Sequence, residues 1–118
     1  MRIDTMYASY EGIMPQVSKY VADNSLAIQA WNMEEGPIAT LTVCLDDKSL
    51  GENETYLDTN NCPWVVGFME KYGLGELTGK VRPSGYCLYP AAKINVDEVM
   101  KFVFKEEEEA EDACMSTH

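Results

Sequence analysis

The sequence predicts an α+β fold in a single domain, and two periodicities along the chain indicate it. Between residues 16 and 45, apolar and polar side chains alternate, which is typical of half-buried β-strands. Between residues 61 and 104, apolar side chains recur at three- and four-residue spacing in two segments, which is typical of amphipathic helices. A length of 118 residues suits one core. We therefore expect an antiparallel sheet, made of a three-stranded meander and a later hairpin, with two helices covering one face.

The three strands of the meander follow one another in the first half of the chain. We predict them at residues 16–21, 26–33 and 39–45, separated by turns at residues 22–25 and 34–37. The first turn contains Asp and Asn and the second contains Gly and Pro, all of which favour turns. The third strand has the clearest pattern, because its apolar residues alternate with Thr and Cys and several are β-branched.

The first helix is predicted just after the stretch YLDTNNCPW, residues 56–64, which follows a polar loop at residues 46–54. Asn61 is a candidate cap, Pro63 suits the first turn, and Gly73 suits the position just past the helix end. The buried face should carry Val65, Phe68, Met69 and Tyr72. The remaining polar side chains of the stretch exceed what a cap requires, and we expect them to hold the preceding loop through backbone hydrogen bonds.

A second β region and a second helix complete the predicted domain. We place strands at residues 80–82 and 86–89, the latter ended by Pro90, and a short strand at Ile94. Asn95 and Glu98 then form a capping-box pattern at the start of the last helix. The domain is expected to span residues 1–105. Residues 106–118 begin with four consecutive glutamates at a helix end, where the helix dipole disfavours them, so an acidic disordered tail is predicted.

The net charge of −11 is unevenly distributed along the chain. Residues 1–58 carry −7, residues 59–104 carry +1, and residues 105–118 carry −5. Such a field repels nucleic acid and favours encounter with basic surfaces, including those that hold DNA or RNA. A charge balance that serves only solubility is the alternative explanation. No apolar run approaches the ~18 residues of a membrane span, and no signal-type segment begins the chain, so we expect a cytoplasmic location.

No enzymatic site is predicted. Cys62, in the first turn of the expected helix, could have a lowered pKa, but a cysteine nucleophile needs a base and His118 is the one histidine. The four cysteines, at positions 44, 62, 87 and 114, form no CxxC pair, so we expect reduced thiols and no zinc site. Phosphate-cradling glycine motifs and the EF-hand spacing are absent from the sequence. We therefore expect neither a metal nor another cofactor.

Seven tyrosines and two tryptophans could form a stacking platform for single-stranded nucleic acid. Such a platform normally accompanies a basic groove, whereas only Lys80, Arg82 and Lys93 cluster in this chain. Roles in the core or in a protein interface are therefore favoured, and direct binding of nucleic acid is not expected.

The motifs DTNNCPW, EKYGLGELTGK and SGYCLYP, in that order, together resemble a family of small domains of unknown function from Gram-positive gut bacteria and their mobile genetic elements. NSLAIQAW and GPIATLTVCL upstream are similar to it as well, so the resemblance covers residues 16–104. It implies no activity. It does imply a genetic context in which small acidic proteins often disable host proteins that handle nucleic acid.

Two hypotheses follow for the function. The first is a non-enzymatic inhibitor, of anti-CRISPR or anti-restriction type, that occludes the basic nucleic-acid surface of a partner such as a CRISPR effector nuclease. Its candidate contacts are Asp46, Asp47, Glu52, Glu54 and Asp58, followed by Glu34, Glu35, Glu106, Glu107, Glu108 and Glu109. The second is an accessory module that binds a partner through an uncharged surface. Its candidate contacts are Asn60, Asn61, Trp64 and Tyr86. The sequence leaves the oligomeric state open.

Overall fold

The computed structural model describes residues 1–103 and contains, within them, nine strands and two helices. The strands are β1 (Ile3–Asp4), β2 (Ser9–Tyr10), β3 (Met14–Lys19), β4 (Leu26–Asn32), β5 (Gly36–Thr40), β6 (Thr42–Val43), β7 (Glu54–Leu57), β8 (Gly75–Ser84) and β9 (Cys87–Ile94). The helices are α1 (Val65–Lys71) and α2 (Val96–Phe102). The predicted α+β class, with antiparallel sheets and two helices, is confirmed. The predicted tail at residues 106–118 lies outside the described residues.

The predicted meander is a three-stranded antiparallel sheet in the order β3-β4-β5. Along β4, buried and half-buried residues alternate without a break, as the sequence pattern indicates. The first strand begins at Met14 and ends at Lys19, so Val21 lies in the turn and is fully exposed. Asn24 in the same turn has a φ of 61°, a left-handed conformation that Asn tolerates.

The predicted third strand is divided between two sheets at Leu41. Residues before it form β5 beside β4, and the residues after it form β6 beside β7. The Leu41 N–H donates to the carbonyl of Ile28 at 2.8 Å, and its own carbonyl accepts from the N–H of Asp58 at 2.9 Å. The alternating sequence pattern continues through Leu41 because the residue is buried among both sheets, at 1% exposure.

The second sheet has four antiparallel strands in the order β6-β7-β9-β8. Strand β7 was not predicted from the sequence, because its four residues come directly before the polar DTNN segment and offer too short a pattern. The hairpin of β8 and β9 is much longer than predicted, and Pro90 does not end the second strand. β9 pairs with β7 only as far as Ala91. Pro90 has no N–H, and it is tolerated because it lies just beyond the residues that bond to β7.

The N-terminal segment, for which no element was predicted, forms a short hairpin of β1 and β2. Met1 and Ile13 exchange backbone hydrogen bonds, with the N-terminal amine 3.0 Å from the Ile13 carbonyl and the Ile13 N–H 2.8 Å from the Met1 carbonyl. The side chains of Ile3 and Ile13 are each 1% exposed and belong to the core. Two isolated isoleucines give no periodicity, which explains why the sequence did not reveal this hairpin.

Both helices pack on the core, and a recognisable cap lies at the end of α1 and at the start of α2. Val65, Phe68 and Met69 are buried as predicted, and the rings of Trp64, Phe68, Tyr72 and Phe102 contact one another edge-on in a row from α1 to α2. At the end of α1, Gly73 has a φ of 66°, and its N–H and that of Leu74 bond to Glu70 and Met69, a Schellman motif. Asn95 caps α2 by accepting from the N–H of Glu98 at 3.3 Å, as predicted.

A single hydrophobic core joins the sheets and the helices into one domain. It includes Ile28 of β4, Leu57 of β7, Ile94 of β9 and Val99 of α2. Among residues 1–103, no helix is long and apolar enough to cross a membrane.

Replacing glycine by alanine should have opposite effects on stability at two positions of α1, one within the helix and one just past its end. Gly67 is helical and exposed, and an added Cβ would meet nothing within 4 Å, so Gly67→Ala should raise the free energy of unfolding by about 0.5–1 kcal/mol. Gly73 also has free space, but its positive φ strains any side chain, so Gly73→Ala should lower that free energy by about 1 kcal/mol. Urea unfolding of both variants measures this, and equal effects would contradict the Schellman geometry.

Candidate functional site

Asp47 lies at the centre of a polar cluster between the β6–β7 loop and the four-stranded sheet. Thr55 and Leu57 point into the core, so the side chain of Tyr56 between them points to the opposite face. There the Tyr56 hydroxyl donates to Asp47 Oδ2 at 2.6 Å. Ser49 donates to Asp47 Oδ1 twice, from its hydroxyl at 2.5 Å and from its N–H at 2.9 Å. The loop is thereby held over this face of the sheet.

Two cations from β8 complete the cluster. Lys80 Nζ lies 3.4 Å and Arg82 Nη1 lies 3.3 Å from Asp47 Oδ2, while Lys80 also donates to Ser49 Oγ at 2.9 Å. The hydrogen bonds from Ser49 and Tyr56, with the charge of Lys80, hold the pKa of Asp47 well below its usual range. Burial and the contact with Asp47 raise the pKa of Tyr56 to about 12. Neither group therefore exchanges protons near neutral pH, and the cluster acts as a structural clamp.

Asp23 ties the same loop to the first turn of the meander. Its Oδ2 accepts from the N–H of Asp47 at 3.1 Å, and its Oδ1 accepts from the hydroxyl and the N–H of Ser25 at 2.6 and 3.0 Å. Burial tends to raise the pKa of Asp23, but the hydrogen bonds from Ser25 outweigh it, and the net pKa is lowered. The first turn of the meander and the β6–β7 loop are thus joined, because the Asp23 carboxylate accepts from the backbone N–H of Asp47.

Asp58 organises the DTNN turn. Its Oδ1 accepts from the N–H of Asn61 at 3.2 Å and its Oδ2 from the Asn61 amide at 2.9 Å. The prediction that Asn61 caps α1 is wrong: the residue at the N-cap is Trp64, which makes no side-chain cap bond. The leftover polar residues were expected to hold the preceding loop, whereas the Asp58 side chain accepts from the N–H of Asn61, which follows it within the same turn.

Cys62 lies just after this turn in an apolar environment. It is 3% exposed, and its sulfur lies 3.5 Å from the carbonyl of Thr40. Burial, and then the charge of Asp58, raise the pKa of the Cys62 thiol to about 11. A protonated, buried thiol of this kind is a poor nucleophile. Within residues 1–103, no group of three or more His, Cys, Asp and Glu side chains could hold a metal ion.

The acids predicted to contact a partner occupy different environments. Asp47 and Asp58 are buried, with 7% and 8% exposure, and their oxygens are bonded inside the chain. Glu54 is half-buried and accepts from the N–H of Gly51 at 3.0 Å. Four predicted acids are exposed at loops and turns, namely Glu34, Glu35, Asp46 and Glu52. Glu106, Glu107, Glu108 and Glu109 lie outside the described residues.

An acidic groove that the sequence analysis missed lies between the end of α1, the start of β8 and the start of α2. It has a volume of about 980 Å³. Glu70, Glu76 and Asp97, all exposed, line it with Asn53 and Lys93. These acids come from the part of the chain whose net charge is near zero, so no linear pattern marks them. The groove depends on a close approach of β8 to β9, since a Cβ on Gly75 would lie 2.9 Å from the Lys93 carbonyl.

The uncharged residues predicted as an alternative surface are brought together only in part. Asn60 and Asn61 are exposed, and Trp64 is half-buried, with its ring 5.9 Å from that of Phe68. The DTNN turn approaches the long hairpin, where the Thr59 hydroxyl lies 3.5 Å from the Leu88 carbonyl. Tyr86 is fully exposed at the hairpin tip.

The hydrogen bond between Tyr56 and Asp47 can be tested by Tyr56→Phe. This change removes a buried donor to a charged acceptor and should lower the free energy of unfolding by about 1–2 kcal/mol. Tyr86→Phe removes the same hydroxyl from a fully exposed tyrosine and serves as the matched control, with no change expected. Urea unfolding at pH 7 measures both, and equal stabilities of the two variants would contradict the clamp.

The charge of Asp47 should make stability depend on pH in the acid range. Its pKa is lower in the folded chain than the ~3.9 of an unfolded one, so its contribution is complete above that value and is lost as the pH falls. Asp47→Asn should therefore be less stable than the original chain at pH 7, by a difference that shrinks between about pH 5 and pH 2. Asp46→Asn, which removes an exposed charge from the neighbouring residue, is the control. A difference that stays constant over this range would refute the assignment.

The sequence of this chain matches a known family. No curated protein and no solved structure matches the chain. A family described as a domain of unknown function, DUF4313, matches residues 15–113, which extends beyond the residues 16–104 that carried the sequence resemblance. Since that match covers most of the 118 residues, this chain belongs to the DUF4313 family of domains of unknown function.

Proposed function

We propose that this chain is a non-enzymatic protein of a mobile genetic element that binds a basic host protein and blocks its nucleic-acid surface. The host protein would be a defence nuclease, such as a CRISPR effector or a restriction enzyme. The observation that carries the proposal is the charge of −11 together with an acidic groove at the surface. Carboxylates in such a position substitute for the phosphates that a basic channel normally holds.

The groove supports this contact better than the buried acids do. Asp47 and Asp58 are bonded to internal partners, and exposing them would leave Lys80, Arg82 and Asn61 without those partners. Glu70, Glu76 and Asp97 are exposed around a concave surface that can receive an arginine or lysine side chain. The exposed loop acids Glu34, Glu35, Asp46 and Glu52 would contribute a long-range field that speeds encounter rather than a shaped contact.

The surroundings of the other reactive side chains support a binding function over an enzymatic one. The thiol of Cys62 is buried with a raised pKa, and the carboxylate of Asp47 is engaged by Ser49 and by the hydroxyl of Tyr56, whose own pKa is raised. These groups stabilise the scaffold on which the acids are displayed.

Glu70→Gln combined with Glu76→Gln tests the groove. The double variant should weaken binding to a basic nuclease by about ten-fold or more, mainly through a faster dissociation rate, because it removes the shaped contact. Gln16→Lys combined with Ser18→Lys is the matched control, because it shifts the net charge by the same two units at exposed positions of β3 that do not line the groove. Binding is measured by surface plasmon resonance at low and high salt, beside inhibition of DNA cleavage.

Two results would overturn the proposal. One is the absence of binding at low salt to any of a panel of CRISPR nucleases and restriction enzymes. The other is an equal loss of affinity in the groove variant and the control, which would show that net charge alone drives the association and that the groove provides no specific contact.

A further inference from the structure

The long hairpin has an uncovered apolar face, which we call the apolar strip. It consists of Leu77, Val81, Pro83, Leu88 and Pro90. The register pairs Leu77 with Ala92, Val81 with Pro90, and Pro83 with Leu88. Because Leu88, Pro90 and Ala92 are alternate residues of β9, all of these side chains lie on one face of the hairpin. That face carries no charged residue.

The strip continues the core face of the four-stranded sheet beyond the part that is covered. Ala92 and Ile94 on the same face of β9 are 1% and 3% exposed. Farther along the hairpin, Leu77, Val81 and Leu88 are 48%, 52% and 64% exposed. In the first half of the chain, by contrast, the large exposed apolar residues lie in turns and bends, among them Tyr7, Val21 and Met33. Grouped exposure on a strand face, in contrast to single residues in turns, marks an interaction surface.

A partner must pack on the face of the hairpin, because the free edge of β8 is protected. The strand is interrupted by an irregularity between Leu77 and Val81, where Gly79 has a φ of 92°. Lys80 lies in this irregularity, and Pro83, which has no N–H, follows it. A bulge, a lysine and a proline are the features that block strand addition at sheet edges. The contact is therefore one of side chains on the strip.

The distribution of charge identifies a second copy of this chain as the occupant. Two copies that each carry −11 repel each other over most of their surfaces. The apolar strip is the exception, since it contains none of the three bases and the one acid of residues 75–94. A two-fold symmetric contact joins the same patch of both copies, and an uncharged apolar patch is complementary to itself without opposing like charges. We propose that the apolar strips of two chains pack face to face in a symmetric dimer.

The size of the strip suits a dimer of modest affinity. With Tyr86 at the tip, the exposed apolar side chains of the hairpin present on the order of 500 Å² per copy, or ~1,000 Å² in total, which is near the lower limit for specific interfaces. Two hairpin faces pack about 10 Å apart, as the inner faces of β-sandwiches do. Interfaces near this lower limit are typical of weak and reversible association.

The test is the mass of the chain in solution, measured by analytical ultracentrifugation over the micromolar range. The original chain should associate reversibly to a dimer, and Leu88→Lys should raise the dissociation constant by about ten-fold or more. Met33→Lys is the matched control, because it places the same charge on a similarly exposed residue, at 68%, in the turn before β5. Both variants bring the net charge from −11 to −10 and so reduce long-range repulsion equally, which means that a loss of dimer in one alone is due to the strip.

Three outcomes would overturn the dimer. The original chain could stay monomeric throughout the range, Leu88→Lys could remain as dimeric as the control, or a monomeric chain could lose binding to a different protein when Leu88 is changed. The last result would assign the strip to that protein. None of these outcomes depends on the acidic groove, so the dimer and the proposed inhibition can fail separately.

Discussion

The hydrogen bonds to the Asp47 carboxylate are the interactions on which the two-sided structure of this domain depends. One face of the four-stranded sheet packs on the core, and the other would expose Tyr56 to solvent without the loop that covers it. Asp47 draws Ser49, Tyr56, Lys80 and Arg82 together around one side chain. A buried charge is tolerated only when donors surround it, and here three different chain segments supply them. The cluster therefore fixes the loop, β7 and β8 relative to one another.

This arrangement also explains why the surfaces of the molecule differ in charge. The clamp pairs both Lys80 and Arg82 with Asp47 on one face of the hairpin, and the opposite face carries only apolar side chains. The acids are left at loops and around the groove at the other end of β8 and β9. The negative charge of the chain is therefore concentrated outside the apolar face of the hairpin.

Elements with a local signal could be predicted, and those defined by distant contacts could not. The alternation along β4 and the Asn95 cap of α2 each depend on residues close in sequence, and both were predicted correctly. Strand β7 has four residues, and its pairing partner β9 lies more than thirty residues away, so its sequence alone carries no period to detect. The division of the third strand at Leu41 was missed for a related reason, because a residue buried between two sheets has the same hydrophobicity as one within a single strand.

By itself, the sequence determined the fold class, the meander, the positions of both helices and the excess of acids, since periodicity, turn chemistry and charge are properties of short segments. Only the tertiary structure decided which acids are available to a partner. Asp47 and Asp58 belong to polar segments of the sequence, yet both side chains are buried in the fold. Asp47 satisfies the buried hydroxyl of Tyr56, and Asp58 accepts from Asn61 within its own turn. Conversely, Glu70, Glu76 and Asp97 meet around one groove because two helix ends and a strand converge there, a proximity that no spacing along the chain expresses.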